Sequence, residues 1–153
     1  MMKRLMVLFA LLVVAGCSHE GDLKSPSIPG TLQGVEGTVS FWEGDFMPVM
    51  PDGAIMPVSR TIAVFEAAGF DDVVLAQDGG FFSEVHTRLV GLTQSDHDGR
   101  YELTVPPGTY SVFVVENGLY YASGGTDEAI QPVTVVRDAF STLNIDITYQ
   151  ATF

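Results

Sequence analysis

The sequence predicts an all-β domain, a two-sheet β-sandwich of about seven strands. Short runs rich in Val, Ile, Thr, Tyr and Phe recur from Gly34 onward and are separated by Gly, Pro and Asp. Within them apolar and polar residues alternate with the period of a half-buried strand. No stretch of ten or more residues carries a helical period. The 153 residues suit one domain, and a 46% hydrophobic content is enough to pack a core, which excludes disorder as a description of the whole chain. Nineteen acids against seven bases speak against nucleic acid, whose phosphates require clustered Lys and Arg. A single cysteine rules out an intramolecular disulfide framework.

The first element, residues 1–16, reads as an address. Lys3 and Arg4 precede an apolar run of ten residues, Leu5 to Val14, and small residues close it. Such a run makes a helix of roughly 15 Å, about half of a hydrocarbon core of ~30 Å. Val14-Ala15-Gly16-Cys17 resembles a bacterial lipobox, and that resemblance implies cleavage before Cys17 and acylation of its thiol. Removing residues 1–16 takes away two cations and no acid, leaving five against nineteen. A domain so acidic is repelled by anionic headgroups, so attachment must come from acyl chains on Cys17. By resemblance to Gram-negative lipoproteins, Ser18 implies sorting to the outer membrane, facing periplasm or exterior. Glu20 and Asp22 are similar to acidic surface-export signals. Residues 17–33, with Gly21, Pro26, Pro29 and Gly30, are expected to be a flexible tether.

The domain is expected over residues 34–153, with strands at Gly34–Trp42, Arg60–Glu66, Val85–Thr93, Tyr101–Val105, Tyr110–Glu116, Gln131–Arg137 and Ser141–Tyr149. Single helical turns are conceivable at Ile62–Ala68 and Thr126–Ile130. Asp98-Gly99 suits two positive-φ positions of a tight hairpin turn. Pro106-Pro107-Gly108-Thr109 suits a type II turn with positive φ at Gly108. Tyr101, Leu103 and Val105, then Tyr110, Val112 and Val114, alternate on either side of it, which predicts a hairpin across Ser95–Val115.

Ser95 to Val112, written Ser-Asp-x-Asp-Gly-x-Tyr-x-Leu-x-Val-Pro-Pro-Gly-x-Tyr-x-Val, resembles the carboxypeptidase regulatory-like domain. Gly34 to Val39 resembles that family's opening strand, and Pro132–Val135 with Leu143–Ile147 its closing pair. The resemblance implies a prealbumin-like (transthyretin-like) sandwich. Trp42 to Pro48 and Tyr149 to Phe153 are similar to a group of Bacteroidota lipoproteins of this type, a match that implies fold and address rather than activity.

Chemistry is sparse. Asp96-His97-Asp98-Gly99 has the look of a calcium loop, but calcium takes six to eight oxygens and these two carboxylates supply only part of that shell. Asp127 and Glu128 add ligands if their loop meets it. In the resembled family the segment is a turn, so no cofactor is expected, with calcium at Asp96 and Asp98 the alternative. His19, His86 and His97 form no zinc-like pairs. A triad can be drawn on paper from Ser83, His86 and an Asp, but any β protein of this size offers as many, and no Gly-x-Ser-x-Gly elbow is present. Transthyretin-like hydrolases of 5-hydroxyisourate end in Tyr-Arg-Gly-Ser, whereas this chain ends Tyr-Gln-Ala-Thr-Phe. The chain is expected to be non-catalytic.

Binding candidates are Trp42, Met47, Met50, Met56, Tyr120 and Tyr121. The methionines lie in a proline-rich stretch, Phe46 to Pro57, expected as a long loop that packs on the sandwich, meets a partner, or holds Cu(I) through thioethers. Phe81-Phe82 and Tyr120-Tyr121 are adjacent pairs whose members point to opposite faces of a strand. One of each then packs the core, and the other covers an edge or is exposed to stack on a sugar or anchor a protein. Ile145 to Phe153 alternates like the last strand of an outer-membrane barrel, but most runs are shorter than the roughly 9–11 residues a barrel requires. The expected role is binding or assembly in the cell envelope, with a protein partner or a glycan. The alternatives are a carbohydrate- or calcium-binding module, and then a small hydrolase.

Overall fold

A computed structural model describes residues 32–49, 51–77 and 79–153; Cys17, the tether expected over 17–33 apart from its last two residues, and Met50 lie outside them. The described strands belong to one compact unit, Thr31–Phe153. They are β1 (Gly34–Asp45), β2 (Ala54–Pro57), β3 (Thr61–Glu66), β4 (Val73–Gln77), β5 (Phe81–Val85), β6 (Leu89–Gln94), β7 (Arg100–Thr104), β8 (Gly108–Glu116), β9 (Leu119–Tyr121), β10 (Pro132–Val135), β11 (Phe140–Thr142) and β12 (Ile145–Thr152). The only helical element among the described residues is a 3-10 turn, Phe70–Asp72. The helical turns anticipated at Ile62–Ala68 and Thr126–Ile130 are instead β3 with the start of a loop, and an open loop.

Two open sheets pack as a sandwich. The five-stranded sheet is organised by β1. Its first half pairs with β7 (antiparallel) and β11 (parallel), and its second half with β12 (parallel) and β2 (antiparallel). The seven-stranded sheet runs β4-β5-β9-β8-β3-β6, with β10 beside the first half of β8. Val35, Val39, Phe41, Ile145 and Ile147 from the first sheet meet Ile62, Val64, Tyr110, Val112, Val114 and Tyr121 from the second.

The larger sheet also has a second apolar face. Ala63, Phe65, Phe82, Phe113, Ala122 and Ile130 cluster there. Residues 67–72 and 122–131 fold against it. Ser111 Oγ accepts from Ala68 N at 3.0 Å, Ile130 N donates to Ala68 O, and Gln131 Nε2 donates to Val112 O at 2.9 Å. Cover on both faces explains why β8 reads as a nearly continuous apolar run. It also lets both members of the pair Phe81-Phe82 be buried, one on each face of the sheet, which agrees with core packing and removes the alternative of an exposed member.

Twelve strands replace the seven expected. Val85–Thr93 breaks at His86–Arg88, and Ser141–Tyr149 breaks at Leu143-Asn144, where Asn144 Oδ1 accepts from Thr38 N at 3.1 Å and the β11 register ends. Strands β2, β4 and β9 went unanticipated, as did most of β5. The hairpin over Ser95–Val115 is also corrected, because β7 and β8 sit in opposite sheets. Pro106-Pro107 carries the chain across the sandwich, and Gly108 begins β8 without positive φ. At Asp98-Gly99 only Gly99 takes positive φ (76°), and it joins β6 of one sheet to β7 of the other. The two-residue turn with positive φ at both positions is Asn117-Gly118, between β8 and β9. Asn-Gly is the strongest short hairpin signal, and it was missed here.

Candidate binding surface

Where β1 leaves the sandwich, alternation puts Phe41 inward and Trp42 outward. Trp42 Nε1 donates to Ser40 Oγ at 3.1 Å and to Asp146 Oδ1 at 3.2 Å, and Ser40 Oγ donates to the same Asp146 oxygen at 2.5 Å. The indole therefore stands fixed against β12. Directly across on β2 is Ile55, while Met56 opposes Phe41. The part of Phe46–Pro57 expected as a loop is shorter than anticipated, since Met56 is in a strand. The turn that remains is closed by two aspartates: Asp52 Oδ1 accepts from Asp45 N at 2.9 Å, and Asp45 Oδ1 accepts from Met47 N at 2.7 Å. Gly53 is required here, because a Cβ would come within 2.6 Å of the Phe46 ring.

This closure brings three rings together. Trp42 and Phe46 centroids are 5.2 Å apart, Phe46 and Phe153 stack at 5.7 Å, and Trp42 and Phe153 lie 6.2 Å apart. Phe46 and Phe153 went unnoticed as candidates, because 107 positions separate them and only the parallel β1–β12 register joins them. Around the rings Val49 is 80% exposed, Phe153 70%, Ile55 52% and Met47 42%. Asp45, Asp52 and Asp146 edge this apolar corner, whereas Glu43, next to Trp42 on β1, points to the opposite face of the strand. Of the described cations, Arg60 pairs with Glu116 and lies 6.0 Å over the Phe41 ring, on the inward face of β1, while Arg88 pairs with Glu66, Arg100 with Asp98, and Arg137 follows β10.

The other candidates fall in different places. Tyr121 is buried between the sheets, with its hydroxyl accepting from Thr148 N at 3.0 Å, and Tyr120 packs edge-on against Phe65 in the second cluster. Neither joins the corner. Asp96, His97 and Asp98 form the one group of three converging metal-type donors among the described residues. Asp96 Oδ1 already accepts from Asp98 N and Arg100 N, and Asp98 lies 3.4 Å from Arg100. Glu128 packs by Gly69, so the Asp127-Glu128 loop belongs to the residues 67–72 and not to this turn. An open groove of about 540 Å³ runs beside the turn over Glu36, Thr38, Arg100, Glu102 and Asn144, with Glu36 directly opposite Glu102. Ser83 donates to Val74 O at 3.3 Å, while His86 lies against Glu84, so the paper triad does not assemble.

Two buried polar arrangements hold the sandwich together. Glu116, almost fully buried, pairs with Arg60 and accepts from Tyr149 at 3.2 Å. Burial, and then the Glu116 charge, raise the Tyr149 pKa. Tyr101 donates to Leu143 O at 2.6 Å, and burial holds its phenol well above the ordinary tyrosine range.

No family model, curated protein or solved structure matches this chain.

Proposed function

We propose that this chain is a bacterial lipoprotein, acylated on Cys17 and held on the outer membrane. Its sandwich acts there as a non-catalytic binding or assembly module for an envelope protein, and the Trp42–Phe46–Phe153 corner is its docking surface. The single observation that carries the docking role is the corner itself: two half-buried rings, Trp42 and Phe46, beside the exposed Phe153 ring and Ile55, in a domain that buries most of its other aromatic side chains. Contiguous exposed apolar surface of this kind marks interaction sites. The anchoring rests on Val14-Ala15-Gly16-Cys17 and the apolar run before it. The prealbumin-like assignment rests on the Ser95–Val112 motif, and a two-sheet sandwich is compatible with it.

Mass spectrometry of the membrane-extracted protein tests the anchor. An acylated Cys17 at the amino terminus is expected, and Cys17→Ser should release the protein from the membrane fraction; an unmodified cysteine in a membrane-bound chain refutes acylation. Affinity capture from solubilised envelope tests the module: one stoichiometric protein is expected, and Trp42→Ala should lose it. A carbohydrate module is the second reading, favoured by the exposed Phe153 ring, and a specific signal on a glycan array would establish it in place of the first.

A further inference from the structure

We infer that the partner of this corner is a protein segment whose apolar residues are flanked by lysine or arginine, an inference that rests on the docking role proposed above. The corner combines two features. Its centre is apolar and presents Val49, Ile55 and Phe153 to solvent. Its edge is acidic, with Asp45, Asp52 and Asp146 and no Lys or Arg within Ser40–Pro57 or Ile145–Phe153. All three acids use Oδ1 to hold the corner together and leave Oδ2 without a partner among the described residues. An incoming cation therefore meets free carboxylate oxygens around an apolar centre, the arrangement of an apolar core within a polar rim.

The same charges argue against the other occupants. In a two-fold contact with a second copy, the acidic edge would face itself. An anionic lipid surface would be repelled in the same way. Extension of the sheet through β2 is restricted, because that edge is four residues long and ends in Pro57, which has no N–H. The corner also lies at the opposite end of β1 from Gly34, where the chain enters the domain. Strand β1 is twelve residues long, so its two ends are roughly 36 Å apart at about 3.3 Å per step.

The test is photo-crosslinking in intact cells. The full chain carries a photo-reactive phenylalanine in place of Ile55, and a second version carries it in place of Leu92, exposed on edge strand β6 of the other sheet. A protein adduct is expected from position 55 and none from position 92. Its crosslinked peptide should contain apolar residues with Lys or Arg within a few positions. Asp52→Asn with Asp146→Asn, which keeps both Oδ1 acceptors and removes two charges, should lower the yield about fivefold, and Asp146→Asn alone should lower it less. Asp127→Asn, on a remote loop, should leave it unchanged. An adduct with a second copy or with lipid, a partner segment free of cations, or a yield from the double variant equal to that of the unaltered chain overturns the inference. A protein adduct in that last case would leave the docking corner standing. An adduct from position 92 alone, or from neither position, overturns both.

Discussion

Two aromatic clusters of similar size differ in how far the chain buries them. Phe65, Phe82, Phe113 and Tyr120 contact one another edge-on beneath residues 67–72 and 122–131, and Phe113 has no exposed surface. Trp42, Phe46 and Phe153 contact one another just as closely, yet Trp42 and Phe46 are only half-buried and Phe153 is 70% exposed. The first cluster stabilises the fold by removing apolar surface from water. The second leaves much of that gain unrealised, which is the physical condition for a surface that waits for a partner. Identical chemistry therefore serves stability in one place and association in the other, and the difference lies only in what folds over it.

Substitutions should separate the two roles. Phe113→Ala should have the largest effect, about 3–5 kcal/mol of unfolding free energy by chemical denaturation, because it opens a cavity among rings that cannot collapse into it. Gly99→Ala comes next, at about 2 kcal/mol or more. The left-handed backbone disfavours a side chain, and its Cβ would come within 2.4 Å of the Val39 carbonyl oxygen. A loss under 0.5 kcal/mol would show that the turn has room to move.

Tyr101→Phe should cost about 1–2 kcal/mol at neutral pH through the hydrogen bond lost at Leu143 O. It should also alter the alkaline limb. Burial raises the folded-state pKa of Tyr101, so its stabilising contribution is complete below the unfolded value near 10 and is lost as pH rises beyond that, when only the unfolded chain ionises. The variant should therefore lose less stability than the unaltered protein between about pH 10 and 12; equal losses would place the alkaline sensitivity elsewhere. Val49→Ser should have the smallest effect on stability, within about 0.5 kcal/mol, while weakening capture of the envelope partner. If Val49→Ser destabilised the fold as much as Phe113→Ala, the contrast between the clusters would disappear.

Much of the strand content was legible. Alternation at Tyr101, Val105, Tyr110, Val112 and Val114 marked side chains that are buried, and Gly34–Trp42 marked most of β1. The misses have physical causes. Val73–Gln77 and Phe81–Val85 carry apolar residues at adjacent positions, so no clean alternation identifies them. Ala54–Pro57 is fully exposed and holds a proline, which removes both burial and pairing cues. Ser95–Val115 contained good turn residues, but such residues set where a chain reverses and not which sheet receives it. Around the corner, Trp42 and Met47 were named as binding candidates from the sequence, whereas Phe46 and Phe153 were not.

The sequence by itself determined that the domain is β and which face of most strands turns inward, because a two-residue period is a local property that each segment carries alone. Only the tertiary structure decided that β7 and β8 part to opposite sheets, that one sheet is covered on both faces, and that Phe153 stacks on Phe46. Those outcomes depend on pairing between residues far apart in the chain, where the choice is made by which apolar faces can be buried together and which are left in water.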